Sequence, residues 1–170
     1  MSRARFRGPR SLSPRQLRWM LNLYPPFLAQ GIRVARVSPD FLEVRMRVRR
    51  SLLSRNLNGT TFGGALSAAC DPVFPIQYWQ ALGRRGLEVE AWLMAMEIRF
   101  RKPARTAVEG SFVLTEADLD AAAAELAGRG KAVRTHRVGL VDRDGDVCAE
   151  AELVSYLRPA PGESRGGSAF

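Results

Sequence analysis

The chain has 170 residues and a formal charge of +9, with 46% apolar and 25% charged residues. That length suits one domain with tails, and a core of this size buries roughly 70% of the unfolded chain's surface without a disulfide or metal staple. The composition excludes collagen-like, mucin-like and wholly disordered chains.

The charge is uneven. Residues 1–39 hold eight Arg and no Asp or Glu, whereas residues 40–170 hold 18 Lys plus Arg against 17 Asp plus Glu. The basic character belongs to the N-terminal segment, so nucleic acid is not the expected partner of the domain. Cys70 and Cys148 have no CxxC spacing and read as free thiols in a reducing cytoplasm. No apolar run approaches the ~20 residues of a membrane span. Met1–Arg10 lacks the apolar stretch of a secretory signal.

In chain order, residues 1–13 read as a basic flexible arm, 14–158 as a single domain and 159–170 as a flexible tail. Ser13-Pro14 marks a helix start. Pro25-Pro26 interrupts that helix and Gly31 ends it. Ile32–Val37 and Leu42–Val48 read as strands; in the second, Leu42, Val44, Met46 and Val48 alternate with Glu43, Arg45, Arg47 and Arg49. Arg50–Thr61 is a polar loop, and Phe62–Leu82 an apolar helix rich in small residues. Val89–Phe100 reads as a strand with Trp92, Met94, Met96, Ile98 and Phe100 on one face, expected to be core. Val108–Leu114 is another strand, Glu116–Gly128 a short helix capped by Thr115, and Ala132–Val141 and Val147–Leu157 a hairpin closed by Asp142–Asp146. The late run of strands predicts an α+β protein with one antiparallel sheet.

The stretch from Asn56 to Asp71 carries the chemistry. Asn56 is followed, after five residues, by Phe62-Gly63-Gly64, and Asp71 stands seven residues beyond Gly64. Glycines at a helix start expose unpaired N–H groups at the positive end of the helix dipole, where an oxyanion is stabilised. The same glycines also serve close packing of a helix on a sheet. Asp71-Pro72 reads equally as an N-cap and N1 pair that restarts a kinked helix, so Asp71 is structural, catalytic or both.

This stretch resembles the signature of hotdog-fold thioesterases, especially the phenylacetate-pathway branch: Asn, five residues, His-Gly-Gly, then an Asp or Glu seven residues on. Asn-x-x-Gly-Thr-x-x-Gly-Gly with Asp-Pro is similar to a hotdog branch catalogued as a domain of unknown function. The resemblance implies a hotdog fold, with an antiparallel sheet wrapped around a long central helix, and a dimer or dimer of dimers. It implies an acyl-CoA or related thioester as substrate and no cofactor or metal beyond the substrate's own CoA. Asp71 takes the place of the nucleophile or general base, Gly63 and Gly64 polarise the carbonyl, and Asn56 assists. Asn58, Thr60 and Phe62 flank the thioester, and Arg101 and Lys102, with Arg105, lie where CoA phosphates are met. Leu66, Phe74 and Trp79 are candidates for an acyl pocket. Phe62 departs from the family's His and donates no hydrogen bond, so a non-catalytic acyl-CoA binder is the alternative.

Other constellations point to structure. His136, the single histidine, sits mid-strand and reads as a strand-face residue. Asp142, Asp144 and Asp146 mimic the start of a calcium loop, but Leu153 stands where that loop needs Glu, and a hairpin turn is the better reading.

Overall fold

The computed structural model describes residues 12–161. The basic arm therefore lies outside the described residues except for Leu12 and Ser13, and the tail except for 159–161. The elements are α1 (Pro14–Asn22), α2 (Pro25–Ala29), β1 (Ile32–Val37), β2 (Glu43–Val48), α3 (Gly63–Cys70), α4 (Val73–Arg84), β3 (Val89–Phe100), β4 (Val108–Val113), α5 (Glu116–Arg129), β5 (Ala132–Val141) and β6 (Val147–Pro159). The strands form one sheet in the order β1-β2-β4-β5-β6-β3. Every neighbouring pair is antiparallel. The α3–α4 helix supplies Ala65, Leu66, Ala69, Phe74, Tyr78 and Leu82 to the core against the sheet. This is the α+β hotdog architecture.

Local chemistry sets the helix starts. Ser13 and Gln16 form a reciprocal capping box with Pro14 at the first helical position, and Thr115 and Asp118 do the same for α5. Gly130, at φ +68°, ends α5 in the left-handed conformation that favours glycine. Pro25 separates α1 from α2, as its missing N–H requires.

Two features depart from the sequence reading. The predicted central helix is two segments, broken at Asp71-Pro72. Asp71 is helical at the end of α3 and caps nothing; α4 begins after Pro72 without a side-chain cap. The N-cap reading of Asp71 is thereby corrected: a residue in the αR conformation cannot present its side chain as an extended N-cap does.

The second departure lies in β3. Leu93 opposes Ser155 and Ala95 opposes Val154, so Met94 is one residue too many. Such a bulge exchanges the faces of a strand. Before it, Ala91 and Leu93 pack on the core while Trp92 turns outward to stack on Tyr156. After it, Ile98 packs on the core and Phe100 meets α3. Trp92, Met94 and Met96 are exposed, so the expectation of one continuous core face fails.

Candidate functional site

The loop between β2 and α3 is built to hold the start of α3 in place. Asn56 closes a tight turn on Thr60: its Nδ2 donates to Thr60 Oγ1 at 2.9 Å and its Oδ1 accepts the Thr60 N–H at 3.0 Å. Gly59 supplies the positive φ within that turn. Thr61 N–H then donates to Ala104 O at 2.9 Å, and Phe62 N–H to Ser54 O at 2.7 Å. Segments 51–54 and 101–107 thus clamp the two residues before the glycines. Asn56 braces this turn, and Thr60 is buried beside it. Asn58 is exposed at the turn's tip.

No side chain caps α3. Its first turn is instead overlaid by two phenyl rings. A Cβ on Gly64 would lie 2.2 Å from Phe62 Cε1, and one on Gly63 would lie 3.0 Å from Phe100 Cζ. Both rings are about half exposed, Phe62 at 53% and Phe100 at 55%. The glycines let these rings lie over the start of the helix; a Cβ at either position would push a ring aside.

Asp71 lies at the far end of α3. Seven residues of helix separate it from Gly64, about 10 Å along the axis. Asp71 is exposed, its carboxylate has no hydrogen-bond or ion-pair partner among the described residues, and partial desolvation raises its pKa above the ordinary carboxyl value.

Two of the three predicted phosphate ligands are ion-paired within the chain. Arg101 pairs with Glu150 at 2.7 Å and lines a hollow of about 490 Å³ between β3, β5 and β6 together with Arg99, Arg137 and Glu152. Lys102 is held by Asp146 and by Asp142 at 3.1 Å, which raise its pKa. Arg105 is exposed and has no ion pair among the described residues; its neighbour Ala104 binds Thr61. Arg50 and Arg55, on the clamping loop, are likewise exposed and without ion pairs among the described residues. The two missed candidates, Arg50 and Arg55, were visible only as ordinary loop charges.

Leu66 and Phe74, two of the acyl-pocket candidates, are fully packed in the core of the single chain, and Trp79 is partly so. Phe74 fits between Phe112 and His136. His136 is a structural residue: its Nε2 lies 2.8 Å from Tyr78 Oη, and burial lowers its pKa. Burial also pushes the Tyr78 hydroxyl up to about 12. Asp142 Oδ1 accepts the N–H groups of Asp144 and Asp146, which closes the predicted hairpin turn.

An antiparallel sheet around a helix that starts on two glycines defines a hotdog protein, and comparison with solved structures agrees. PA5026 of Pseudomonas aeruginosa, described as a protein of unknown function and probable thioesterase, superposes with a TM-score of 0.75 over 90% of this chain and 100% of its own, at 22% identity. Thioesterase HI1161 of Haemophilus influenzae gives 0.67 over 91% and 96%, at 11% identity. A mutant of the phenylacetic acid degradation protein PaaI of Thermus thermophilus gives 0.53 over 78% and 97%, at 23% identity. At these identities the likeness is one of fold. Residues 14–157 match the family described as domain of unknown function DUF4442, and the chain belongs to that family. No curated protein matches it.

Proposed function

We propose that the chain is a thioesterase that hydrolyses acyl-CoA or a related thioester to a carboxylic acid and free thiol. The observation that carries this reading is an uncapped Gly63-Gly64 helix start on a braced loop, with an unpaired carboxylate, Asp71, two turns along the same helix. Asp71 takes a proton from water as the water oxygen attacks the thioester carbon. The carbonyl electrons move to oxygen, where the N–H groups of Gly63 and Gly64 hold the charge. The C–S bond then breaks, and the thiolate leaves and is protonated. Water is the only co-substrate in this scheme. Phe62 adds no donor, so the backbone alone supplies the oxyanion site.

The 10 Å between Asp71 and Gly64 favours a site shared by two chains. β3 ends the sheet with twelve residues and has no strand on its outer side among the described residues. Pairing with β3 of a second copy about a two-fold axis would run the two α3 helices in opposite directions. The carboxylate end of one then moves toward the glycine end of the other. Arg50, Arg55 and Arg105 suit an anionic substrate near the clamped loop. Two buried free thiols, Cys70 and Cys148, suit a reducing compartment such as the cytoplasm.

Free-thiol release from a panel of acyl-CoAs tests the reading. Asp71→Asn and Asp71→Ala are expected to lower turnover by about 10²–10⁴. Equal turnover by wild type and both variants overturns the role of the carboxylate. The rings of Phe62 and Phe100 over the glycines favour a second reading, a protein that holds acyl-CoA without hydrolysing it. Thermal stabilisation by CoA esters without thiol release would select it.

A further inference from the structure

The helices ahead of the sheet carry an apolar face that the core does not use. α1 is anchored on its inner side: Leu17 is fully buried, Leu21 packs against the core, and Asn22 bonds to β1. Leu12 N–H donates to Gln80 Oε1 at 2.9 Å just before the helix. Gln16, Trp19, Met20 and Leu23 follow one another at i, i+3, i+4 and i+7, so they form one outward stripe. Trp19 is 55% exposed and Leu23 64%. Tyr24 and Leu28 continue the exposed apolar surface through α2, while Phe27 turns inward. A contiguous patch of this kind, on a helix already fixed by its other face, marks a docking surface.

The charge around the patch narrows the partner. Arg15 and Arg18 fall on the helix flank between the outward stripe and the buried side, exposed and without ion pairs among the described residues. The first 39 residues hold eight Arg and no acid. Two such segments repel each other, which disfavours a second copy at this face. The outermost side chains are apolar and aromatic, and the arginines flank them. Trp and Tyr over an apolar body with arginines beside it is the composition of a helix lying at a membrane–water boundary.

We propose that α1 and α2 dock this protein on an anionic lipid surface. Trp19, Met20, Leu23, Tyr24 and Leu28 enter the headgroup boundary, and Arg15 and Arg18 meet lipid phosphates. The helices that carry this face pack by their other side on β1, at the opposite end of the strand order from β3. Lipid docking here neither needs nor excludes thioester hydrolysis.

Flotation of the full chain with phosphatidylcholine vesicles, with and without phosphatidylglycerol, tests it. Binding is expected only with the anionic lipid and falls as salt is added. Trp19→Ser with Leu23→Ser is expected to weaken binding at least tenfold. Arg15→Gln with Arg18→Gln is expected to weaken it about 25-fold, or about fivefold per arginine. Both double variants keep the wild-type melting midpoint and elution volume. Trp19→Phe keeps binding but removes the quenching of tryptophan emission by brominated lipid. Absence of binding to anionic vesicles, unchanged binding by both double variants, or persistent quenching in Trp19→Phe overturns the proposal. So does a smaller species on substitution of Trp19 and Leu23, which would mean that a second copy covers the face. Preference for DNA over vesicles through the same residues would also overturn it.

Discussion

At one end of the sheet, β1 is six residues long and lies against α1 and α2. Asn22 there imitates a further strand: its Oδ1 accepts the Val34 N–H at 2.8 Å and its Nδ2 donates to Val34 O at 3.1 Å. At the other end, β3 is twelve residues long, carries exposed Trp92, Met94, Met96 and Phe100, and has β6 as its only strand neighbour among the described residues. Natural sheets blunt their edges, because an open row of N–H and C=O groups invites another chain. This chain closes one edge with its own helices, whereas the longer one is uncovered among the described residues and carries a bulge and the exposed Glu97–Arg99 pair beside its apolar side chains. It is the edge at which the proposed function places a second copy.

The comparison breaks most visibly at the open edge. Met94→Lys with Met96→Lys places charge on β3 and is expected to convert the proposed dimer to a monomer, read by light scattering. Thiol release is expected to fall at least about a hundredfold, the cost of losing oxyanion-site donors. A folded, fully active monomer would remove the shared site. At the closed edge, Leu17→Ala is expected to cost about 3 kcal/mol in urea unfolding, since Leu17 is fully buried, with the oligomeric state unchanged. Asn22→Ala is expected to cost about 2 kcal/mol, because it leaves the Val34 N–H and C=O without their partner.

Asp71→Asn separates chemistry from fold. The folded state raises the Asp71 pKa, so the native protein holds that proton more tightly than the unfolded chain. The carboxyl therefore favours folding at low pH and loses that contribution as pH rises through its folded value. The substitution is expected to leave stability at neutral pH unchanged or slightly higher while activity falls. The smallest effect is expected between the two edges, on β5. His136 has a lowered pKa, so as pH falls below about 6.5 the unfolded chain takes up the proton first and stability declines toward the lower folded value. His136→Gln should flatten that slope in unfolding measured from about pH 7 to 5.

Much of the fold is legible in local patterns. Ser13-Pro14 and Thr115 begin helices where their capping chemistry places them, and Gly145 turns the hairpin that Asp142 ties. The alternation of Val44, Met46 and Val48 is the buried face of β2. The site was legible as a motif but not as an arrangement. Gly63, Gly64 and Asp71 share one helix, yet the spacing that relates them in sequence sets them at opposite ends of α3. Phe100 read as a core-face residue beside Ile98, but nothing in the chain marked Gly63 as its neighbour, and the bulge at Met94 is what turns Trp92 to the other face. Arg101 and Lys102 looked like available cations until Glu150, Asp142 and Asp146 were brought beside them by the hairpin.

The sequence alone determined the α+β class, the order of the elements, the glycine start of α3 and the concentration of arginine before residue 40. These follow from contacts between residues a few positions apart, where periodicity and capping act. The tertiary structure decided the rest. It placed Asn22 on the edge of β1, reversed the faces of β3, freed Asp71 from a capping role and put β3 at the end of the sheet. Those outcomes depend on which strand lies beside which, and pairing between distant residues leaves no period in the chain to read.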